Sequence, residues 1–136
     1  MSNEALEIRG SDVAVIEVES GHIKVRFEPA YLLKSEAIVG VDPSTRWQQT
    51  SQLLFREATL EGELPDLPAT IETAKLQMNQ HTYVDVVPLP IEMPGIISLT
   101  LTFKGRSGKV VINAGHVLYF AIDLEKYLEH LDQPEG

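Results

Sequence analysis

The chain has 136 residues, no cysteine, and twenty acids against eleven bases, for a formal net charge of −9. The lack of cysteine excludes disulfides, thiolate nucleophiles and zinc–thiolate centres, and the negative balance argues against nucleic acid and anionic membrane as partners, because phosphate binding needs clustered Lys and Arg. The length fits one domain, no apolar run approaches the roughly 20 residues that span a bilayer, and the opening Met1-Ser-Asn-Glu-Ala-Leu-Glu7 lacks the apolar core of a secretory signal, so a cytoplasmic protein is expected.

Residues 1–11 are polar without periodicity and read as a loose N-terminal arm, followed by a single domain over 12–133. From Asp12 to Glu19 the apolar positions Val13, Val15, Ile16 and Val18 alternate with one slip, the mark of a strand with a bulge or of a strand buried on both faces. Ser20-Gly21 makes a two-residue turn, and Ile23, Val25 and Phe27 then alternate with Lys24, Arg26 and Glu28, which completes a hairpin. Pro29 ends or kinks that strand, and Tyr31-Leu32-Leu33 can continue it.

Residues 42–62 admit two readings. Asp42 could cap a helix with Pro43 in its first turn, Gly62 beyond its end, and Trp47, Ser51, Leu54 and Ala58 on one face. The alternation of Leu54, Arg56, Ala58 and Leu60 with Phe55, Glu57, Thr59 and Glu61 favours a turn around 42–48 and a strand from about Gln52 to Glu61, given strands on every side.

After a proline-rigidified connection, Ala74, Leu76 and Met78 alternate with Thr73, Lys75 and Gln77, Asn79-Gln-His81 turns the chain, and Tyr83 to Val87 runs back. The strongest signal follows: Ile97, Leu99, Leu101 and Phe103 on one side, Ser98, Thr100 and Thr102 on the other, then a Gly105/Gly108 loop and Val110-Val-Ile112. A further strand is expected over Val117 to Ile122. Asp123 reads as the cap of a C-terminal helix presenting Leu124, Tyr127, Leu128 and Leu131. About eight short strands separated by turn signals, with one helix at the end, predict an antiparallel β-sandwich with a short C-terminal helix.

Chemistry is sparse. His22, His81, His116 and His130 lie far apart without a ligand or carboxylate at metal spacing, so no metal or cofactor is expected. Lys104-Gly-Arg-Ser-Gly-Lys109 lacks the spacing and following helix of a phosphate loop and reads as a hairpin tip. No paired carboxylates or nucleophile elbow can be assigned, so no catalytic residue is named. The candidate binding residues are Arg46 and Trp47, the only tryptophan, placed on a loop after Asp42-Pro43; Trp and Arg are enriched at binding hot spots. The Pro-flanked 86–91 stretch and the outer face of an edge strand are candidates for self-association. The function expected is a small non-enzymatic binding or protein-interaction module, a homodimer among the arrangements that fit. The alternatives are a small-ligand or carbohydrate-binding sandwich and an enzyme whose carboxylates meet only in space.

Overall fold

A computed structural model describes residues 3–35 and 44–131. The described residues form eleven strands and no helix: β1 (Asn3–Glu7), β2 (Asp12–Glu19), β3 (His22–Ser35), β4 (Ser44–Arg56), β5 (Thr59–Glu61), β6 (Ala69–Met78), β7 (His81–Val84), β8 (Val86–Pro88), β9 (Glu92–Phe103), β10 (Val110–Ala121) and β11 (Lys126–Leu131). Six of them close an antiparallel barrel in the order β4-β10-β9-β6-β2-β3, with β3 returning to pair β4. The expected β-sandwich is therefore corrected to a closed barrel with outlying strands, and the C-terminal helix to a strand.

The hairpins form where turn chemistry and alternation agree. Ser20 and Gly21 both adopt positive φ, 43° and 82°, as a two-residue turn matched to strand twist requires. The β9 alternation is realised, with Ile97, Leu99, Leu101 and Phe103 buried and the intervening Ser98, Thr100 and Thr102 only partly so. The Ala74, Leu76 and Met78 set on β6 and the Ile23, Val25 and Phe27 set on β3 also point inward. Phe27, Phe55, Leu53, Leu76, Leu99 and Leu101 are among the largest fully buried side chains, so the barrel interior is packed with side chains.

Closure depends on a short seam. β2 meets β6 through Asp12 opposite Thr70 and Val13 opposite Ala69. The seam is extended by backbone bonds from Gly10 N–H to Ile71 O, 2.9 Å, and from Ile71 N–H to Ser11 O, 3.0 Å. The bulge in β2 falls between Val13 and Val15.

Two long strands leave the barrel. The register of β3 on β4 shifts between Phe27 and Ala30, at Pro29, and pairing then continues to Ser35 opposite Ser44. These outer halves carry β1 beside β3, β8 beside β1, and β11 beside β4. Asn3–Glu7, expected to be part of a loose arm, is thus β1, held between β3 and β8. Its Leu6 is fully buried, and so is Val87 of β8, which the sequence had offered as exposed apolar surface. The expected turn and short strand over 42–61 become one long strand, β4, followed by β5. Asp42 and Pro43 lie outside the described residues. β10 is likewise one strand, bulged between Ala114 and His116, instead of two.

Candidate functional site

Arg46 and Trp47 sit on the outer half of β4, not on a loop. Adjacent strand residues point to opposite faces, so the two act on opposite sides of the outlying sheet. Both grip the same neighbour, β11. On one face the Arg46 guanidinium meets Glu129 of β11 at 3.2 Å and Glu7 of β1 at 2.9 Å, with the Tyr31 ring 5.8 Å away. On the other, the Trp47 ring meets Tyr127 of β11 edge-on, centroids 5.4 Å apart at 78°. Its Nε1–H donates to Thr45 Oγ1 at 2.8 Å. Lys34 Nζ lies 4.5 Å above the indole and pairs with Glu4 at 3.3 Å and with Glu125, just ahead of β11.

The two groups with displaced pKa values belong to this clasp. Partial burial pulls the Lys34 ammonium down, but its bonds and charge attraction to Glu125 and Glu4 outweigh burial and hold it above 10.5. Burial pushes the Tyr119 phenol above 10.0, with help from the charges of Glu125 and Glu4 and against the opposing influence of nearby Ser51; its hydroxyl donates to Gln49 Oε1 at 3.2 Å.

β11 itself is the residue set that sequence reasoning missed. Its pairing with β4 slips by one between Tyr127 and Glu129. Tyr127 and His130, three apart, therefore share a face, and so do Lys126 and Glu129. A strand with such a bulge spaces its side chains like a helix, which is why Leu124, Tyr127, Leu128 and Leu131 read as one. Among the described residues β4 is the one strand that pairs with β11. In and just ahead of β11, Leu124 is 87% exposed, Tyr127 54%, Ile122 43% and Leu128 41%.

A concavity of about 610 Å³ lies on the Arg46 face. Its cations Arg9, Arg46 and Lys104 are matched by Glu7, Glu72 and Asp85. Arg46 is paired to Glu7, and Arg9 to Asp85 at 3.8 Å, so two of the three cations are already neutralised within the chain. The Asp85 carboxylate also accepts the Ala74 N–H at 2.9 Å, which ties it to the sheet.

The histidines stay apart. His22 and His81 are exposed beside their turns, and His81 stacks at 6.5 Å on Tyr83. His116 sits at the β10 bulge opposite Arg56, its Nδ1 buried without a hydrogen-bond partner. Among the described residues no group of three or more His, Asp or Glu is placed to hold a metal ion, and no helix is long and apolar enough to cross a membrane. The 104–109 segment is a hairpin tip with Gly105 and Gly108 at φ 72° and 89°. No protein-family model, curated protein or solved structure matches the chain.

Proposed function

We propose that this protein is a protein-interaction module whose contact surface is the outer flank of β11, with Arg46 and Trp47 as the residues that hold that strand in place. The observation that carries this reading is the set of exposed apolar residues Ile122, Leu124, Tyr127 and Leu128, on or just ahead of a strand whose outer edge is unpaired among the described residues. An edge offers a row of backbone donors and acceptors that an incoming strand can satisfy, and exposed apolar side chains supply area that gains from leaving water. The clasp supports the same reading: the Arg46–Glu129 ion pair, the Lys34–Glu125 pair just ahead of the strand and the Trp47–Tyr127 ring contact fix a strand that buries little of its own surface.

The carbohydrate alternative draws less support. A sugar needs an open aromatic face, and the Trp47 ring is covered by Lys34 and met edge-on by Tyr127. The packed barrel supports a surface contact over an internal ligand.

A photo-crosslinking side chain at Leu124, with the same group at exposed Glu19 as control, tests the reading in the protein's own cells. Discrete protein adducts at position 124 and not at 19 are expected. Identical adduct patterns at the two positions would overturn it.

A further inference from the structure

We infer that the partner of β11 is a second copy of this chain, the two β11 strands pairing antiparallel about a two-fold axis between Tyr127 and Leu128. The inference rests on the reading of the β11 flank as a contact surface and names its occupant.

The segment Leu124-Glu-Lys-Tyr-Leu-Glu-His-Leu131 is complementary to its own reverse. Laid antiparallel on a copy of itself about that axis, it sets Leu124 opposite Leu131, Glu125 opposite His130, Lys126 opposite Glu129 and Tyr127 opposite Leu128. Each position meets an apolar residue with an apolar one or an acid with a base, and two-fold symmetry makes each pair occur twice.

The bulge makes this register possible. Residues three apart on an unbroken strand point to opposite faces, so Lys126 and the partner's Glu129 would project on opposite sides of the joined sheet. In β11, Lys126 lies opposite Gln48 and Glu129 opposite Arg46, and those two β4 residues share a face. Tyr127 and His130, opposite Trp47 and Thr45, share the other. Glu125 lies on the Tyr127 side, because its carboxylate meets the Lys34 ammonium that sits over the Trp47 ring. The oppositely charged side chains therefore fall on matching faces of the joined sheet.

A bulge ordinarily protects an edge, since a regular strand cannot follow it. A copy with the same bulge at the symmetry axis can. The irregularity thus favours self-pairing over a generic extended peptide. Glu129 keeps half its side chain exposed beside Arg46, which leaves room for the partner's lysine.

Sedimentation equilibrium from micromolar to millimolar protein tests the inference, in about 150 mM salt, where net repulsion between copies is screened within about 8 Å. The wild-type chain is expected to show a reversible dimer. Lys126→Glu and Glu129→Lys each set like charges opposite one another twice, and should each raise the dimer dissociation constant about tenfold or more. Mixed in equal amounts the two variants should associate again, because each introduced charge then faces its opposite. Circular dichroism melts check that both variants fold. If either does not, zero-length carbodiimide coupling of an isotope-mixed wild-type sample gives the same answer through mixed-isotope links between Lys126 and Glu129. A monomer at every concentration, a dimer that neither charge change weakens, or an isotope-mixed sample without that link would overturn the inference. If the purified chain is monomeric while position 124 still captures other proteins in cells, the second copy is wrong and the interaction reading stands. If position 124 captures nothing beyond the control, the interaction reading itself falls.

Discussion

Leu101→Ala tests the barrel at the middle of its wall. Leu101 is fully buried on β9, opposite Ala74 of β6 on one side and Val110 of β10 on the other. The substitution removes three carbons from a site with no access to water. At about 0.8 kcal/mol for each buried methylene the transfer loss is about 2.4 kcal/mol. The wall strands are hydrogen-bonded on both sides and cannot collapse inward, so a cavity remains and raises the total to about 3–4 kcal/mol. Urea unfolding followed by circular dichroism should show the midpoint fall with an unchanged slope, and the melting temperature should drop by about 10 °C. Thr100→Ala, one residue away on the outer face, should stay within about 0.5 kcal/mol of wild type. A Leu101→Ala cost under about 1 kcal/mol, or an equal cost for Thr100→Ala, would refute the inward assignment of this face.

Other consequences are as direct. Gly95 has φ 130°, and a Cβ there would lie 2.0 Å from Asn79 Oδ1, the acceptor of the Ile96 N–H, so Gly95→Ala should lower stability by about 1–3 kcal/mol in a thermal melt. An unchanged melt would show that the Asn79 contact gives way freely. Asp85→Ala strands the Ala74 N–H and removes the Arg9 partner, with an expected cost of about 1–3 kcal/mol by urea unfolding; a cost near zero would mean that water replaces the carboxylate. Lys34 and Tyr119 both hold their protons more tightly in the folded chain than their ordinary values of 10.5 and 10.0. Their contribution is intact below about pH 10 and is lost as pH rises through the raised values, because the unfolded chain releases those protons first. Unfolding free energy should therefore fall from about pH 10 upward, and less steeply in Lys34→Met; a slope identical in the two proteins would contradict the clasp.

The barrel wall was legible in the sequence wherever one face of a strand is uniformly apolar. Ile97 to Phe103 and Ile23 to Phe27 name their own inward sides. β4 hid its character because its inward positions include Gln49 and the buried Ser51 between Trp47 and Leu53, which breaks the apolar period. Closure was not legible, because it rests on Val13 meeting Ala69 across most of half the chain, and nothing local marks that contact. The site was half legible. Arg46 and Trp47 are conspicuous by type, and the structure sets them against β11. The strand they hold was read as a helix because a single bulge gives three-residue spacing to one face, and periodicity does not separate that from a helical turn.

Amide hydrogen exchange of the intact chain at low and at high protein concentration tests the central claim most directly. If β11 pairs with a second copy, protection across Lys126–Leu131 rises with concentration, while protection in the barrel strands β9 and β10 stays constant. Exchange in β11 that is the same at both concentrations would contradict the account.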